Sequence, residues 1–177
     1  MIHHLRKIAP VAYSLVASVV FLDSLRFKFT NAPETQTIFG KLDAWAAGLG
    51  APGLFAQSGL FSQYVIGSAE LVASALLLAS LVPALGRLRA IGALIAAAVM
   101  TGAVSFHLFT PLGIDPNNDG GGLFVMAVVV WLSSLAMLFA ERRTLFALGG
   151  AILGVLRIPS TSDTPVPAPA AGLRADA

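Results

Sequence analysis

The stretch FSQYVIGSAELVASALLLASLV, residues 61–82, combines the length of a membrane span with a single carboxylic acid, Glu70. A helix rises about 1.5 Å per residue, so this stretch would cover the roughly 30 Å of a hydrocarbon core, with Glu70 about 14 Å along it. A carboxylate at that depth is unfavourable unless it is protonated, paired or in contact with water. Gln63, Gly67 and Ser74 share its helical face, which predicts that this face packs inward against other helices.

The chain as a whole has the composition of an integral membrane protein. Of its 177 residues, 56% are hydrophobic and only 11% are charged, whereas a soluble domain carries about 25% charged residues. The basic residues stand singly or in pairs beside apolar runs, so the sequence predicts no nucleic-acid partner. Because the chain has no cysteine, it offers no disulfide, thiolate metal site or iron–sulfur cluster. Any redox chemistry must therefore use a borrowed cofactor or a partner protein.

The apolar runs predict an all-α fold, a transmembrane four-helix bundle. Each span needs about 20 apolar residues, and the sequence supplies them at about 8–29, 61–82, 88–110 and 121–140. We expect residues 1–158 to form a single membrane domain. Residues 159–177 are rich in proline, alanine and small polar residues, a composition that predicts a disordered cytoplasmic tail.

Two shorter helices are expected beside the spans. Ile38, Leu42, Trp45 and Leu49 share one helical face, which predicts a short amphipathic helix near 36–49 on the outer surface of the membrane. The apolar run 144–158 is too short to cross a bilayer and predicts a short fifth helix at the interface. This run contains the GxxxG pair Gly150 and Gly154, so close helix packing is the alternative.

The basic residues orient the spans. They cluster at 6–7, 87–89 and 142–143, and positively charged segments stay on the cytoplasmic side. We therefore expect a multi-pass protein of the bacterial inner membrane, with both termini in the cytoplasm and the loops 30–60 and 111–120 outside.

The end of the first span, VVFLDSLRFKFTNAPE at residues 19–34, gathers three charged residues. A lysine at a helix end can extend its head group to water, so we expect Lys28 to be an interfacial anchor. We expect Arg26 to face the bundle and to neutralise Glu70. The alternative is that Asp23 and Arg26, three residues apart, pair with each other.

The third span places His107 in the outer half of the same bundle. We expect Glu70 and His107 to be the catalytic residues of a polar pocket, with Arg26, Gly67, Ala103 and Phe106 binding a cofactor. An imidazole and a carboxylic acid can hydrogen bond to the two carbonyls of a quinone and exchange protons with it. The alternatives are a histidine that only bonds a carbonyl and a glutamate that is half of a structural ion pair. No ligand spacing predicts a metal, and no second axial histidine lies near enough for haem.

The order of these features resembles the DoxX-like family of bacterial four-helix membrane proteins. The likeness covers about residues 8–140. It is carried by LRFKF at the end of the first span, by LGAPGL in the outer loop, by GSAELVASALLLASL in the second span, by the turn GRLRA and by AAAVMTGAVSFHL in the third span. Members resemble, or are named for, a subunit of a thiosulfate:quinone oxidoreductase, and others are implicated in membrane oxidoreductase assemblies.

The resemblance implies specific site residues. It places the family's glutamate at Glu70, its cytoplasmic arginine at Arg87 and its outer histidine at His107. The family's first-span basic residue falls on either Arg26 or Lys28. The chain departs from the pattern where Ala73, Ser74 and Ala75 replace glycines, and where the fifth apolar segment is added, so the subfamily and the substrate stay open.

Three functions are compatible with these features. The first is a subunit of a quinone-linked membrane oxidoreductase, with quinone as a non-covalent cofactor, no covalently bound cofactor, and a soluble or membrane-bound redox partner. The second is a non-enzymatic membrane partner or scaffold, since no redox or nucleophilic group of the chain is self-sufficient. The third is a small-solute or proton pathway through the buried carboxylate. Each is compatible with a homo-oligomer in the lipid bilayer.

Overall fold

The structure is a computed structural model that describes residues 2–156, and all of its regular structure in that range is helical. A short 3-10 turn, Pro83–Leu85, joins two of the helices. The six α-helices are α1 (Ile2–Phe29), α2 (Pro33–Gly48), α3 (Gln63–Ala79), α4 (Leu88–Phe109), α5 (Gly122–Ala140) and α6 (Arg142–Leu156). The all-α prediction is confirmed for this range, and the tail predicted for 159–177 lies outside the described residues.

Three helices are long and apolar enough to cross a membrane. They are α1 over Ile8–Phe29, α4 and α5, which match three of the four predicted spans. The fourth, α3, is shorter than the predicted span, with 17 residues. It begins where the Ser62 hydroxyl accepts a hydrogen bond from the amide of Val65, 3.3 Å away. It ends before Pro83, which cannot continue a helix because its ring occupies the position of the amide hydrogen.

The helices pack side by side, with α1 on α3, α3 on α4, α4 on α5 and α5 on α1. Phe21 of α1, Leu77 of α3 and Val130 of α5 are fully buried between them. Where α3 meets α4, a Cβ atom added to Gly92 would stand 2.9 Å from Cγ of Leu77. The absence of a side chain at Gly92 therefore permits this close approach.

We call one end of this helical unit the capped end, because α2 and the loop 49–62 cover it. There α1 and α4 end, and α3 and α5 begin. A second apolar cluster holds the cap in place; its buried members are Leu42, Ala46, Phe55 and Leu112. The helix predicted near 36–49 is present as α2, but it does not extend to Leu49. Since α2 ends at Gly48, Leu49 lies beyond the helix and is 69% exposed.

At the opposite end, Nε of Arg89 lies 3.0 Å from Oε1 of Glu141, and this ion pair ties α4 to the end of α5. Helix α6 begins at the next residue and packs against α4 and α5. It occupies most of the run predicted at 144–158. A Cβ atom added to Gly150 or Gly154 would meet nothing within 4 Å among the described residues. The glycine pair therefore makes no helix–helix contact within this part of the chain.

Candidate functional site

A buried ion pair joins α1 to α3 near the capped end. The Nζ atom of Lys28 lies 3.1 Å from each carboxylate oxygen of Glu70. The side chains are 14% and 3% exposed, respectively. Lys28 also donates a hydrogen bond to the hydroxyl of Ser24, one turn earlier in α1. The only carboxylate of α3 is therefore neutralised by a lysine that reaches it along the helix surface.

Two small residues of α3 make room for this pair. A Cβ atom added to Gly67 would stand 3.4 Å from Cδ of Lys28, so the lysine stem passes directly over Gly67 on its way to Glu70. One turn further on, the hydroxyl of Ser74 donates to the backbone carbonyl of Glu70 at 2.8 Å. The stripe of Gly67, Glu70 and Ser74 does face inward, as predicted, and its neighbour is α1.

One oxygen of Glu70 keeps spare hydrogen-bonding capacity. Its Oε1 atom accepts from Lys28. Its Oε2 atom lies within ion-pair distance of the same ammonium, but accepts no hydrogen bond of acceptable geometry within residues 2–156. A buried carboxylate oxygen without a donor is unfavourable. Glu70 is therefore able to accept one more hydrogen bond or a proton.

The prediction that Arg26 neutralises Glu70 is wrong. Nε of Arg26 lies 2.9 Å from Oδ1 of Asp23, and the two side chains are 67% and 60% exposed. Successive helical residues are about 100° apart, so residues 26 and 28 point in nearly opposite directions. The buried face of α1 contains Phe21 and Leu25, and Lys28 continues it. The alternative interpretation, a surface pair between Asp23 and Arg26, is the one observed.

His107 is buried on α4 at the capped end, with 8% exposure. Its Nδ1 atom lies 2.6 Å from the carbonyl oxygen of Gly113 in the following loop. A carbonyl oxygen only accepts, so Nδ1 carries the hydrogen and Nε2 is left as the second ring nitrogen. The imidazole also packs 5.5 Å from the ring of Phe124. A hydrogen bond from His107 to a backbone carbonyl was the alternative to a catalytic role, and this hydrogen bond is present in the structure.

The other predicted binding residues face different neighbours. Gly67 lies against α1. Ala103 packs on the main apolar cluster. Phe106 stands edge-on to Phe55 of the cap, with the ring centroids 5.2 Å apart. Among the described residues, no hydrogen bond joins Glu70 to His107, so each group has its own set of partners.

A cluster of side-chain amides, which the sequence analysis did not identify, covers the ion pair at the capped end. The Asn31 side-chain oxygen accepts from the amides of Gln36, of Gln57 at 3.0 Å and of Gln63 at 2.9 Å. Gln63 is 1% exposed and also donates to the backbone carbonyl of Lys28 at 2.8 Å. Three glutamine amides from three separate segments therefore converge on the side-chain oxygen of Asn31, which lies in a fourth segment. No helical periodicity relates these four residues.

A cavity of about 110 Å³ opens beside this amide cluster. It lies between α2, the loop 49–62 and the first residue of α3. It is lined by side chains of the cap such as Phe39, Asp43 and Phe55, and by none of Gly67, Glu70, Ala103, Phe106 and His107. Within residues 2–156, no three histidine, aspartate or glutamate side chains are grouped to hold a metal ion.

No family model, curated protein or solved structure matches this chain.

Proposed function

We propose that this protein crosses the bacterial inner membrane as a transmembrane four-helix bundle formed by α1, α3, α4 and α5. Three of these helices have the length and apolar composition of spans. The 17 residues of α3 extend about 26 Å, close to the thickness of a hydrocarbon core. Large side chains such as Val19, Leu94 and Leu132 are at least half exposed, as expected for helices that face lipid.

The orientation follows from the basic residues. Arg87, Arg142 and Arg143 are exposed at the end opposite the cap, and positively charged segments are retained in the cytoplasm. The capped end then faces outward and both termini are cytoplasmic. A reporter fused after Arg143 should be active in the cytoplasm, and one inserted between Asn117 and Gly120 should be active outside. The opposite result would reverse the orientation.

We further propose that the protein is a DoxX-like subunit of a quinone-linked membrane oxidoreductase. The observation that supports this most is the buried Lys28–Glu70 pair, because a carboxylate with a free acceptor position can hold a proton close to a membrane-soluble carrier. His107 offers a second nitrogen, Nε2, for a hydrogen bond. Quinone, when bound, would supply the two-electron chemistry. Because the chain has no cysteine, a redox partner would have to supply or remove the electrons.

A second function is favoured by a different observation. The ammonium of Lys28 already has Ser24 and Glu70 as partners, and Nδ1 of His107 is bonded to Gly113. These contacts are also the ones that a purely structural role requires. A non-enzymatic membrane partner or scaffold, alone or as a homo-oligomer, would need only these contacts.

Mass spectrometry of the protein after mild detergent extraction separates the two functions. For the oxidoreductase subunit, quinone should co-purify with the wild-type protein. Glu70→Gln should lower turnover of the assembly more than quinone retention, and His107→Leu should lower both. Glu34→Gln, which changes an exposed carboxylate of α2, is the matched control and should change neither. A stable soluble partner without quinone would support the scaffold and contradict the oxidoreductase.

A further inference from the structure

The cavity at the capped end has a lining that combines acceptors, one negative charge and aromatic rings. Its polar and aromatic side chains are Gln36, Gln57, Gln63, Asp43, Phe39 and Phe55. No lysine, arginine or histidine within residues 2–156 lines it. A single water molecule requires a cavity volume of roughly 10–15 Å³. The volume of this cavity, about 110 Å³, therefore accommodates a group of several heavy atoms.

The glutamine side chains present acceptors to a ligand. The amide nitrogens of Gln36 and Gln57 are turned toward Asn31. Within the described part of the chain, neither of their amide oxygens accepts a hydrogen bond. Two carbonyl oxygens beside the cavity are therefore available to a hydrogen-bond donor.

Asp43 contributes the negative charge. Its Oδ1 atom accepts a hydrogen bond from the amide of Phe55 at 3.0 Å, which fixes the carboxylate at the cavity wall. Asp43 has no ion-pair partner among the described residues. The nearest basic residue in sequence, Lys41, donates instead to the carbonyl of Pro116 at 3.4 Å. The charge of Asp43 is therefore free to attract a cation.

The aromatic rings favour an organic cation over a metal ion. Phe55 is 3% exposed and packs against Phe61 and Phe106, with ring centroids 5.9 and 5.2 Å away. It is therefore a fixed part of the cavity lining, and the partly exposed Phe39 is the ring accessible to a ligand. The faces of aromatic rings attract ammonium groups and are the usual partners of quaternary ammonium ligands. Calcium and magnesium require about six or more oxygen ligands, which a single carboxylate does not supply.

We propose that this cavity binds an organic ammonium group, supplied either by the head group of a lipid or by a small free amine. The carboxylate of Asp43 balances the positive charge. The amide oxygens of Gln36 and Gln57 accept hydrogen bonds from N–H groups, and the ring of Phe39 contacts the alkyl surface of the cation. This site is separate from the Lys28–Glu70 pair and does not depend on a quinone.

The test is a titration of the full-length protein in detergent micelles with tetramethylammonium chloride and, separately, ethanolammonium chloride. Sodium chloride at equal ionic strength is the control. Binding is measured by calorimetry. Asp43→Asn keeps an oxygen for the Phe55 amide and removes the charge, so affinity should fall on the order of tenfold, as expected for a partly buried charge pair. Glu34→Gln removes a charge from the same helix outside the cavity and should bind as the wild type does.

A second variant adds bulk at the cavity wall and leaves the charge of the cavity unchanged. Gly40 lines the cavity, and a Cβ atom added there would meet no atom of residues 2–156 within 4 Å. Gly40→Leu should therefore fold normally and no longer bind the cations. This variant tests the cavity as the binding site even if Asp43→Asn fails to fold. Wild-type affinity in Gly40→Leu would overturn the proposal, as would a wild type that neither binds the free cations nor retains a lipid with an ammonium head group.

The source of the ammonium group is identified by reconstitution. The wild type and Gly40→Leu are extracted from vesicles of phosphatidylethanolamine with phosphatidylglycerol, and from vesicles of phosphatidylglycerol alone, and retained lipid is identified by native mass spectrometry. Retention of phosphatidylethanolamine by the wild type alone supports a lipid head group. Calorimetric binding of the free cations without such retention supports a free amine. Failure of both measurements contradicts the site.

Discussion

The ammonium nitrogen of Lys28 lies 3.1 Å from both carboxylate oxygens of Glu70 and ties the end of α1 to the first half of α3. The stem of the lysine crosses Gly67, and the amide of Gln63 donates to the Lys28 carbonyl. Three residues of α3 therefore hold one residue of α1. The pair and the amide cluster above it form one connected polar structure.

Lys28→Gln should destabilise the protein far more than Arg26→Gln. Removing Lys28 leaves a buried carboxylate without its cation, a change that costs about 3 kcal/mol or more. Removing Arg26 breaks an exposed pair with Asp23, which contributes at most about 1 kcal/mol. Thermal unfolding in detergent micelles measures the difference. Equal losses in the two variants would show that Glu70 does not depend on Lys28.

The sequence contained enough information to choose Lys28 over Arg26. Ser14, Ser18, Phe21 and Leu25 are buried at spacings of three and four residues, and Lys28 is the next position in that series. The nearness of Lys28 to the water interface had favoured an anchoring role for it and an inward position for Arg26. The helical phase of the small and buried residues was the more reliable signal.

The amide cluster and the adjacent cavity could not be found in this way. Asn31 and Gln57 lie in loops, and Gln36 and Gln63 lie in the first turns of two different helices. Their meeting point depends on how α2 and the loop 49–62 fold over the ends of the long helices. The spacing of hydrophobic residues along the sequence predicts helices, but it contains no information on such long-range contacts. By contrast, the long apolar runs predicted α1, α4 and α5 to within one or two residues at the ends near the cap.

Gly92→Ala should destabilise the contact between α3 and α4. Its Cβ atom would stand 2.9 Å from Cγ of Leu77 and 3.3 Å from the backbone oxygen of Ala73. Leu77 is fully buried and has no room to move, so the overpacking should cost about 1–3 kcal/mol. Thermal unfolding in detergent micelles measures the loss.

Gly102→Ala is the matched control in the same helix. Its Cβ atom would meet only Phe106, at an ordinary distance of 3.7 Å. Because alanine favours a helix over glycine by up to about 1 kcal/mol, this variant should unfold at an equal or higher temperature. If Gly92→Ala were also stabilising, α3 and α4 would not be in the observed contact.

Asp119 should make part of the stability depend on pH. Hydrogen bonds from the backbone amides of Leu123, at 2.9 Å, and Gly121, at 3.0 Å, lower the pKa of its carboxyl group below the ordinary value. Because the pKa of Asp119 is lower in the folded state than in the unfolded state, its carboxylate stabilises the protein fully at pH values above the unfolded pKa of about 3.9. This stabilisation is lost as the pH falls through the pKa of the folded state.

Asp119→Asn should therefore reduce the drop in melting temperature between about pH 5 and pH 2. Glu34→Gln is the control, and an unchanged drop in Asp119→Asn would contradict a stabilising role for the hydrogen bonds from Gly121 and Leu123 to Asp119.

A double-mutant cycle on Lys28 and Glu70 decides whether the pair is a structural tie or part of a site. Lys28→Gln and Glu70→Gln are made singly and together, and melting and quinone retention are measured for each. Because each single change leaves one buried group without its partner, the double variant should recover stability, with a coupling of about 1–3 kcal/mol.

The control cycle uses the exposed pair, with Asp23→Asn and Arg26→Gln made singly and together, and should show a coupling below about 1 kcal/mol. If the double variant of Lys28 and Glu70 is stable and retains quinone, the pair is a structural tie and quinone is bound by other residues. If it is stable and has lost quinone, Glu70 belongs to a binding site, because the fold is intact and only the chemistry of the pair has been removed.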